Sequence, residues 1–130
     1  MITVIAIVIG IGIMILIHEF GHFVVAKMLG IFVEEFSIGF GPAIFKIQGK
    51  ETLYKICPIP LGGYIKMKGE DPDSELSGSK DEFLSRKTYE KILVAIAGPA
   101  FNIVLAIIIL PFAFSVFGQK VLVLPNYVQI

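Results

Sequence analysis

The feature that most constrains this chain is an uncharged apolar run that ends in two histidines and a glutamate. Residues 1–17 read MITVIAIVIGIGIMILI, and residues 18–22 read HEFGH. Outside that motif, Thr3 is the only polar residue between Ile2 and Ala26. A helix of this length is about 37 Å long, which exceeds the roughly 30 Å core of a bilayer. The run therefore predicts a transmembrane helix within residues 1–30; a signal peptide would need a basic start, a shorter apolar stretch and a small-residue cleavage site.

A second uncharged run covers residues 92–117 and predicts a second transmembrane helix, assigned to residues 91–117. It contains Gly98-Pro99, which we expect to disrupt helix geometry near the start of the span. The composition agrees, because 55% of the residues are hydrophobic and the mean hydropathy is +0.83. A soluble domain has about 45–50% apolar residues.

The distribution of charge predicts an orientation in the membrane. Eleven basic and eleven acidic residues give a net charge of +0, so nothing favours nucleic acid as a partner. Apart from Lys120, every Lys and Arg lies between Lys27 and Lys91. Because short loops rich in Lys and Arg remain cytoplasmic, we expect residues 27–91 inside and the N-terminus outside. Cys57 is the only cysteine, which excludes an internal disulfide and predicts a small buried side chain.

The segment between the two spans has the composition of strands and turns. Residues 31–68 are rich in Ile, Val, Phe and Tyr and are punctuated by Gly and Pro. The predicted fold class is thus a membrane α-helical protein with a β-hairpin insertion, in which two transmembrane helices flank a membrane-associated β-region. Strands are expected near residues 32–38, 43–48, 51–57 and 63–68, with a turn at 48–50.

The remaining segments are predicted to connect the main elements or to follow the second span. Residues 69–80, GEDPDSELSGSK, predict an exposed loop. Residues 81–91 are expected to form one or two turns of amphipathic helix at the membrane surface, so that 69–90 make a cytoplasmic connection. The tail, residues 118–130, has strand character and is expected to be extracytoplasmic, leading into a further domain.

The HEFGH motif indicates metal-dependent hydrolysis. Its HExxH spacing places His18 and His22 on one face of a helix, where both can bind one Zn²⁺ ion. Glu19 is then the candidate general base, which takes a proton from a water activated by the metal. The alternative is a hydrogen-bonded histidine pair without a metal. That alternative is disfavoured because one ionisable residue within a span costs roughly 2.5–3.5 kcal/mol and is usually functional.

The depth of the motif requires access for water. Counting back from Lys27, the metal would lie about 8–14 Å from the cytoplasmic edge at ~1.5 Å per residue. Extended backbone at such depth is tolerated only against protein or a wet cavity, so we expect residues 31–68 to line one.

Other residues have two interpretations each. The Asn102 amide could bind a substrate backbone or a developing oxyanion, or it could form a hydrogen bond between helices. Gly62 and Gly63 are candidate substrate-binding residues, although the simpler interpretation of both, as of Gly39 and Gly41, is plain turn residues.

Four motifs in order resemble one known family. HEFGHFVVAKMLGI, EEFSIGFGP, PLGGYIKMKGE and AGPAFN are similar to the N-terminal part of bacterial site-2 proteases, the intramembrane zinc metalloproteases of the regulator of sigma-E protease type. The resemblance implies that His18 and His22 bind zinc, that Glu19 is the catalytic base, and that Asn102 matches an asparagine implicated in substrate handling. It also implies a location in the bacterial inner (plasma) membrane.

The resemblance further implies substrates and a missing part. The substrates would be single-span membrane proteins, such as anti-sigma factors or remnant signal peptides, paired in extended form onto a strand edge. A catalytic zinc needs three protein ligands, and the family takes the third from an Asp-Gly motif on a later span, beyond PDZ domains. A third ligand from within this sequence would have to be Cys57 or a carboxylate such as Glu34, Glu35 or Glu51.

The expected function is therefore the N-terminal part of an intramembrane zinc endopeptidase, not active alone. One alternative is a catalytically inactive membrane binding module or truncated paralogue, but such a protein has no need for Glu19. Another is a metal carrier, which the absence of further histidines disfavours.

Overall fold

The computed structural model describes residues 1–118, which form two long helices joined by a four-stranded sheet. Helix α1 spans Ile2–Met28 and helix α2 spans Thr88–Phe117. Both helices are long and apolar enough to cross a membrane by length and composition. The strand character predicted for the tail falls on residues 119–130, outside the described residues.

The segment before α2 differs from the expectation. Residues 81–87 form turns, so the amphipathic helix predicted over 81–91 is present only from Thr88, where it is continuous with α2. The start of α2 is capped by Glu90, whose carboxylate accepts the backbone N–H of Lys87 at 3.1 Å. Arg86 donates to the Leu29 carbonyl beyond the end of α1, which ties the two helix ends together.

The disruption of helix geometry predicted at Gly98-Pro99 does not interrupt α2. The helix continues through Pro99 and also through Pro111. A proline inside a helix removes one hydrogen bond, so here the Ala95 carbonyl loses the donor that residue 99 would otherwise supply. A continuous apolar helix tolerates that loss.

The sheet is mixed rather than a series of hairpins. The strands are β1 Val33–Phe40, β2 Phe45–Gln48, β3 Leu53–Ile56 and β4 Ile59–Met67. Their order in the sheet is β2-β3-β1-β4, with β1 parallel to β3, and with β1–β4 and β2–β3 antiparallel. The β2–β3 hairpin and its turn are as predicted, with the Gly49 N–H donating to the Thr52 carbonyl at 2.9 Å.

Buried polar contacts hold the parallel pair together. The Thr52 hydroxyl donates to the Val33 carbonyl at 2.9 Å, and the Ser37 hydroxyl lies 3.4 Å from the sulfur of Cys57. Ser37 and Thr52 are fully buried, and Cys57 is buried as predicted. Side chains supply these contacts from residues far apart in sequence, which is why strand propensity alone suggested only neighbouring hairpins.

One face of the sheet packs on α1. The ring of Phe23 lies 5.1 Å from that of Phe36 on β1 and 6.1 Å from that of Tyr54 on β3. A small hydrophobic core joins both helices to the sheet. It consists of Ala26, Ile31, Val33, Met67 and Val94.

The two helices cross closely at Gly21. A Cβ at this position would lie 2.6 Å from the Ala97 carbonyl oxygen and 3.0 Å from Cβ of Phe101. Only glycine permits this approach, because any other residue would overlap the backbone of α2. The crossing brings α2 directly against the face of α1 that carries the HEFGH motif.

The loop before α2 is organised by a single carboxylate. Glu82 is only 3% exposed. Its oxygens accept hydrogen bonds from the backbone N–H groups of residues 77–79 and from the hydroxyls of Ser77 and Ser85. These donors lower the pKa of Glu82 from 4.5 to about 2. Donors stabilise the charged form, so the ionised carboxylate holds the loop.

We predict that Glu82→Gln lowers the midpoint of thermal unfolding, since an amide cannot accept all five bonds. Because the pKa is lowered on folding, the stabilisation is complete above about pH 4.5 and is lost as the pH falls toward 2. The difference in midpoint between wild type and variant should therefore narrow from about pH 6 to about pH 3. Glu75→Gln, on the exposed part of the same loop, is the control and should not change the midpoint. A difference independent of pH would contradict this role.

Candidate metal centre

The two histidines of the motif lie side by side on α1. The His18 and His22 rings are one helical turn apart, with centroids 4.8 Å apart and planes at 77°. Both rings are partly buried at the crossing with α2. The spacing predicted from sequence therefore does bring the two imidazoles to one face.

Helix α2 fixes the orientation of His22. Its Nδ1 lies 2.6 Å from the Val94 carbonyl oxygen. A carbonyl can only accept, so Nδ1 carries the proton and Nε2 keeps its lone pair. Metal-binding histidines characteristically donate their second N–H in this way.

Gly98 lets both rings pack closely against α2. A Cβ built at residue 98 would lie 2.5 Å from Nε2 of His18 and 2.5 Å from Nε2 of His22. Both Nε2 atoms thus converge on the backbone of Gly98, which the absence of a side chain permits. From the sequence we interpreted Gly98 through its proline neighbour, and only the packing of α2 on α1 reveals this steric role.

Asn102 lies one turn further along α2 and faces the other histidine. Its amide nitrogen is 3.4 Å from Nδ1 of His18. Its oxygen is buried and has no hydrogen-bond partner within residues 1–118. The predicted substrate-binding role of Asn102 stays a prediction; the contact that the structure provides is to a histidine of the motif.

Glu19 borders an open cavity of about 350 Å³ on the His22 side of the pair. The cavity is also lined by Glu70, three residues after the end of β4, which we did not single out from the sequence. Its position beside Glu19 depends on the sheet, although it belongs to the GYIKMKGE motif noted above. The cavity is lined by Glu19, His22, Tyr64, Ile65, Met67, Glu70, Phe83, Val94 and Ala95.

The two candidate glycines lie within strand β4, so the interpretation as plain turn residues is wrong for them. At Gly62 a Cβ would lie 2.5 Å from the Ile15 side chain of α1, and at Gly63 it would overlap the Ser37 carbonyl. Both glycines let β4 lie close to its neighbours, one to α1 and one to β1. Direct substrate binding by Gly62 and Gly63 stays a prediction.

The candidate third ligands are engaged away from the histidines. Glu35 pairs with Lys55 at 2.6 Å, and this ammonium lowers the pKa of the Glu35 carboxyl. Glu51 pairs with Lys27, and Glu34 with Lys66. Cys57 is held against Ser37. In the part of the chain that the structure describes, no three His, Cys, Asp or Glu side chains are grouped to hold a metal.

The residues at the crossing nevertheless fit two ligands of a zinc site. The two Nε2 atoms converge at Gly98, and the Val94 carbonyl fixes the tautomer of the His22 ring. Nitrogen ligands of this kind suit Zn²⁺. A carboxylate, Glu19, lies next in sequence to the first ligand and borders the adjoining cavity.

We predict that Gly98→Ala weakens zinc binding, because the added methyl group overlaps both Nε2 atoms. Overpacking costs about 1–3 kcal/mol, which corresponds to about 5–150-fold in affinity. Zinc affinity is measured by competition with a chelator on the complete protein. Gly10→Ala is the matched control, because a Cβ at that position of α1 meets nothing within 4 Å. Equal affinity of both variants would show that residue 98 does not shape the site.

Comparison with known proteins places these features in a family. The sequence model of Peptidase family M50 matches residues 6–128. A Rickettsia conorii protein named "Putative zinc metalloprotease" is 41% identical over 124 residues, which are 92% of this chain and 35% of that protein. A protein of the same name from Clostridium perfringens is 50% identical over 97 residues, 74% of this chain and 28% of that protein.

The relatives are much longer than this chain. A third, from Clostridium acetobutylicum, is 44% identical over 98 residues, 75% of this chain and 28% of its own length. The chain thus spans about a third or less of the length of these relatives. The match from residue 6 to residue 128, with these identities, shows that the chain belongs to Peptidase family M50, the site-2 proteases.

Proposed function

We propose that this chain carries the catalytic half of a zinc-dependent intramembrane endopeptidase. The observation that carries the proposal is the convergence of the two Nε2 atoms at Gly98, with Glu19 and His22 lining the adjoining cavity. His18 and His22 supply two zinc ligands. As the family resemblance implies, a third ligand would join them in the complete protein.

Each residue of the motif has a distinct task in hydrolysis. Zinc held by His18 and His22 would lower the pKa of a water molecule toward about 7. Glu19 would serve as the general base that accepts a proton from the attacking water and returns it to the leaving amine. Glu70 places a second carboxyl group at the cavity, and the Val94 carbonyl keeps His22 in the tautomer that offers Nε2.

The substrate that we propose is an extended segment of a single-span membrane protein, such as an anti-sigma factor or a remnant signal peptide. Strand β4 is an edge of the sheet, and its residues 64, 65 and 67 line the cavity that contains Glu19. An unwound segment can add to such an edge through backbone hydrogen bonds. Pairing at β4 would hold a peptide bond beside the motif.

We further propose that this chain belongs to a multi-pass protein of the bacterial inner (plasma) membrane and that lipid surrounds both helices. The outward side chains support this, since large apolar residues along both helices are more than half exposed, among them Ile7 and Ile107. Exposed apolar surface of this extent marks contact with lipid or protein. Residues 27–91 face the cytoplasm, as the position of the Lys and Arg residues indicates.

We predict that Glu19→Gln in the complete protein lowers peptide hydrolysis by at least about 10²-fold, the usual contribution of a general base. Zinc content should stay near one per chain, because Glu19 is not a ligand. His18→Ala should lose the zinc as well as activity. Glu75→Gln is the control for a Glu-to-Gln change and should retain both. Cleavage by Glu19→Gln at the wild-type rate would exclude the base role and favour a binding module.

Backbone pairing with β4 predicts an alternating pattern in the substrate. In a cleavable synthetic transmembrane peptide, N-methylation of every second residue near the cut should slow hydrolysis, because successive N–H groups point to opposite sides of a strand. Each lost bond is worth about 0.5–1.5 kcal/mol, so about 2–12-fold in kcat/KM. The residues between them serve as internal controls. Equal sensitivity at neighbouring positions would contradict strand pairing.

A further inference from the structure

The contact between Asn102 and His18 requires the His18 proton on a different nitrogen from the one that zinc binding requires. The amide nitrogen of Asn102 faces Nδ1 of His18 at 3.4 Å, while the amide oxygen is buried and has no partner among residues 1–118. An NH₂ group can only donate, so this contact requires an unprotonated Nδ1. In a neutral His18 ring the proton then lies on Nε2, the atom that packs against Gly98.

Zinc binding requires the opposite tautomer. A ligating Nε2 needs its lone pair, so the proton of a neutral ring must lie on Nδ1. His22 already satisfies this condition, because the Val94 carbonyl accepts its Nδ1–H. His18 needs an acceptor at the corresponding place, and the one side chain that the structure puts within hydrogen-bond distance of its Nδ1 is Asn102.

We propose that Asn102 is a positioning residue for His18: in the zinc-bound state its amide is rotated by half a turn, and Oδ1 accepts the Nδ1–H of His18. The two histidines would then be oriented alike, one by a backbone carbonyl and one by a side-chain carbonyl, both from α2. This inference rests on the proposed zinc site, and it assigns Asn102 to the ligand rather than to the substrate.

The rotation is inexpensive for the protein. Oxygen and nitrogen of an amide have nearly the same size and exchange places on rotation. One end of the Asn102 amide lacks a partner in the described structure before rotation, and one end lacks it after rotation. The contact with His18 therefore decides which of the two amide orientations is favoured. In the tautomer that binds zinc, the Nδ1–H of His18 donates and the rotated amide oxygen accepts. Partners of this kind typically change metal affinity by about 10–100-fold.

The test compares zinc affinities of the complete protein by chelator competition. Asn102→Leu keeps the shape but removes the acceptor, so the affinity should fall by about 10–100-fold. Asn102→Asp keeps an oxygen toward Nδ1 and should bind zinc as tightly as wild type or more tightly. Ile103→Ala is the control, since that neighbouring side chain is 61% exposed. Unfolding midpoints in chelator should agree among all variants, which separates metal affinity from folding.

Nuclear magnetic resonance of ¹⁵N-labelled histidine adds a readout that a purely structural role would not move. In the zinc-loaded wild type, the His18 signal should show a protonated Nδ1 with a hydrogen-bonded proton, and Asn102→Leu should lose that hydrogen bond.

Three results would overturn the assignment while leaving the zinc site intact. The first is wild-type affinity in Asn102→Leu, the second is an equal loss in the Leu and Asp variants, and the third is a change in KM alone, which would return Asn102 to substrate binding. If wild-type protein bound no zinc, or bound it equally well with His22→Ala, both this inference and the proposed function would fail.

Discussion

The close crossing of α1 and α2 is the contact on which the rest of this structure depends. Two glycines make it possible, Gly21 from α1 and Gly98 from α2, and each would place a Cβ within 2.6 Å of the opposite helix. Because the helices approach so closely, a backbone carbonyl of α2 can reach a histidine ring of α1. His22 is thereby oriented by the main chain of α2.

The same crossing reconciles polar residues with an apolar surrounding. Ionisable groups within a span are expensive unless they face the protein interior or a wet cavity. Here His18 and His22 are turned toward α2, and Glu19 borders a cavity that includes residues of β4. The outer surfaces of both helices remain apolar. The sheet therefore contributes in two ways. It packs on α1 beside the site, and residues of β4 line the cavity that contains Glu19.

The predictions from sequence were good where chemistry is local and poor where it depends on distant partners. Two long helices, four strands near the expected positions and the turn at 48–50 follow from apolar runs, β-branched residues and Gly-containing turns. The parallel pairing of β1 with β3 was missed, since it depends on contacts such as Thr52 to the Val33 carbonyl. Glu70 was missed for the same reason, because it reaches the cavity only through the path of β4. The disruption expected at Pro99 does not interrupt α2, since the helix continues with one hydrogen bond missing.

The sequence by itself determined the candidate site residues, because the HExxH spacing fixes two imidazoles and a carboxylate on one helix whatever surrounds them. It also determined the two apolar helices, because their length and hydropathy leave few other environments for them. Only the tertiary structure decided how the histidines are oriented and which residues share their space. A glycine, a backbone carbonyl and an amide act on them from a helix about 80 residues away in the chain. Such contacts depend on distances between elements, which residue spacing along one element does not contain.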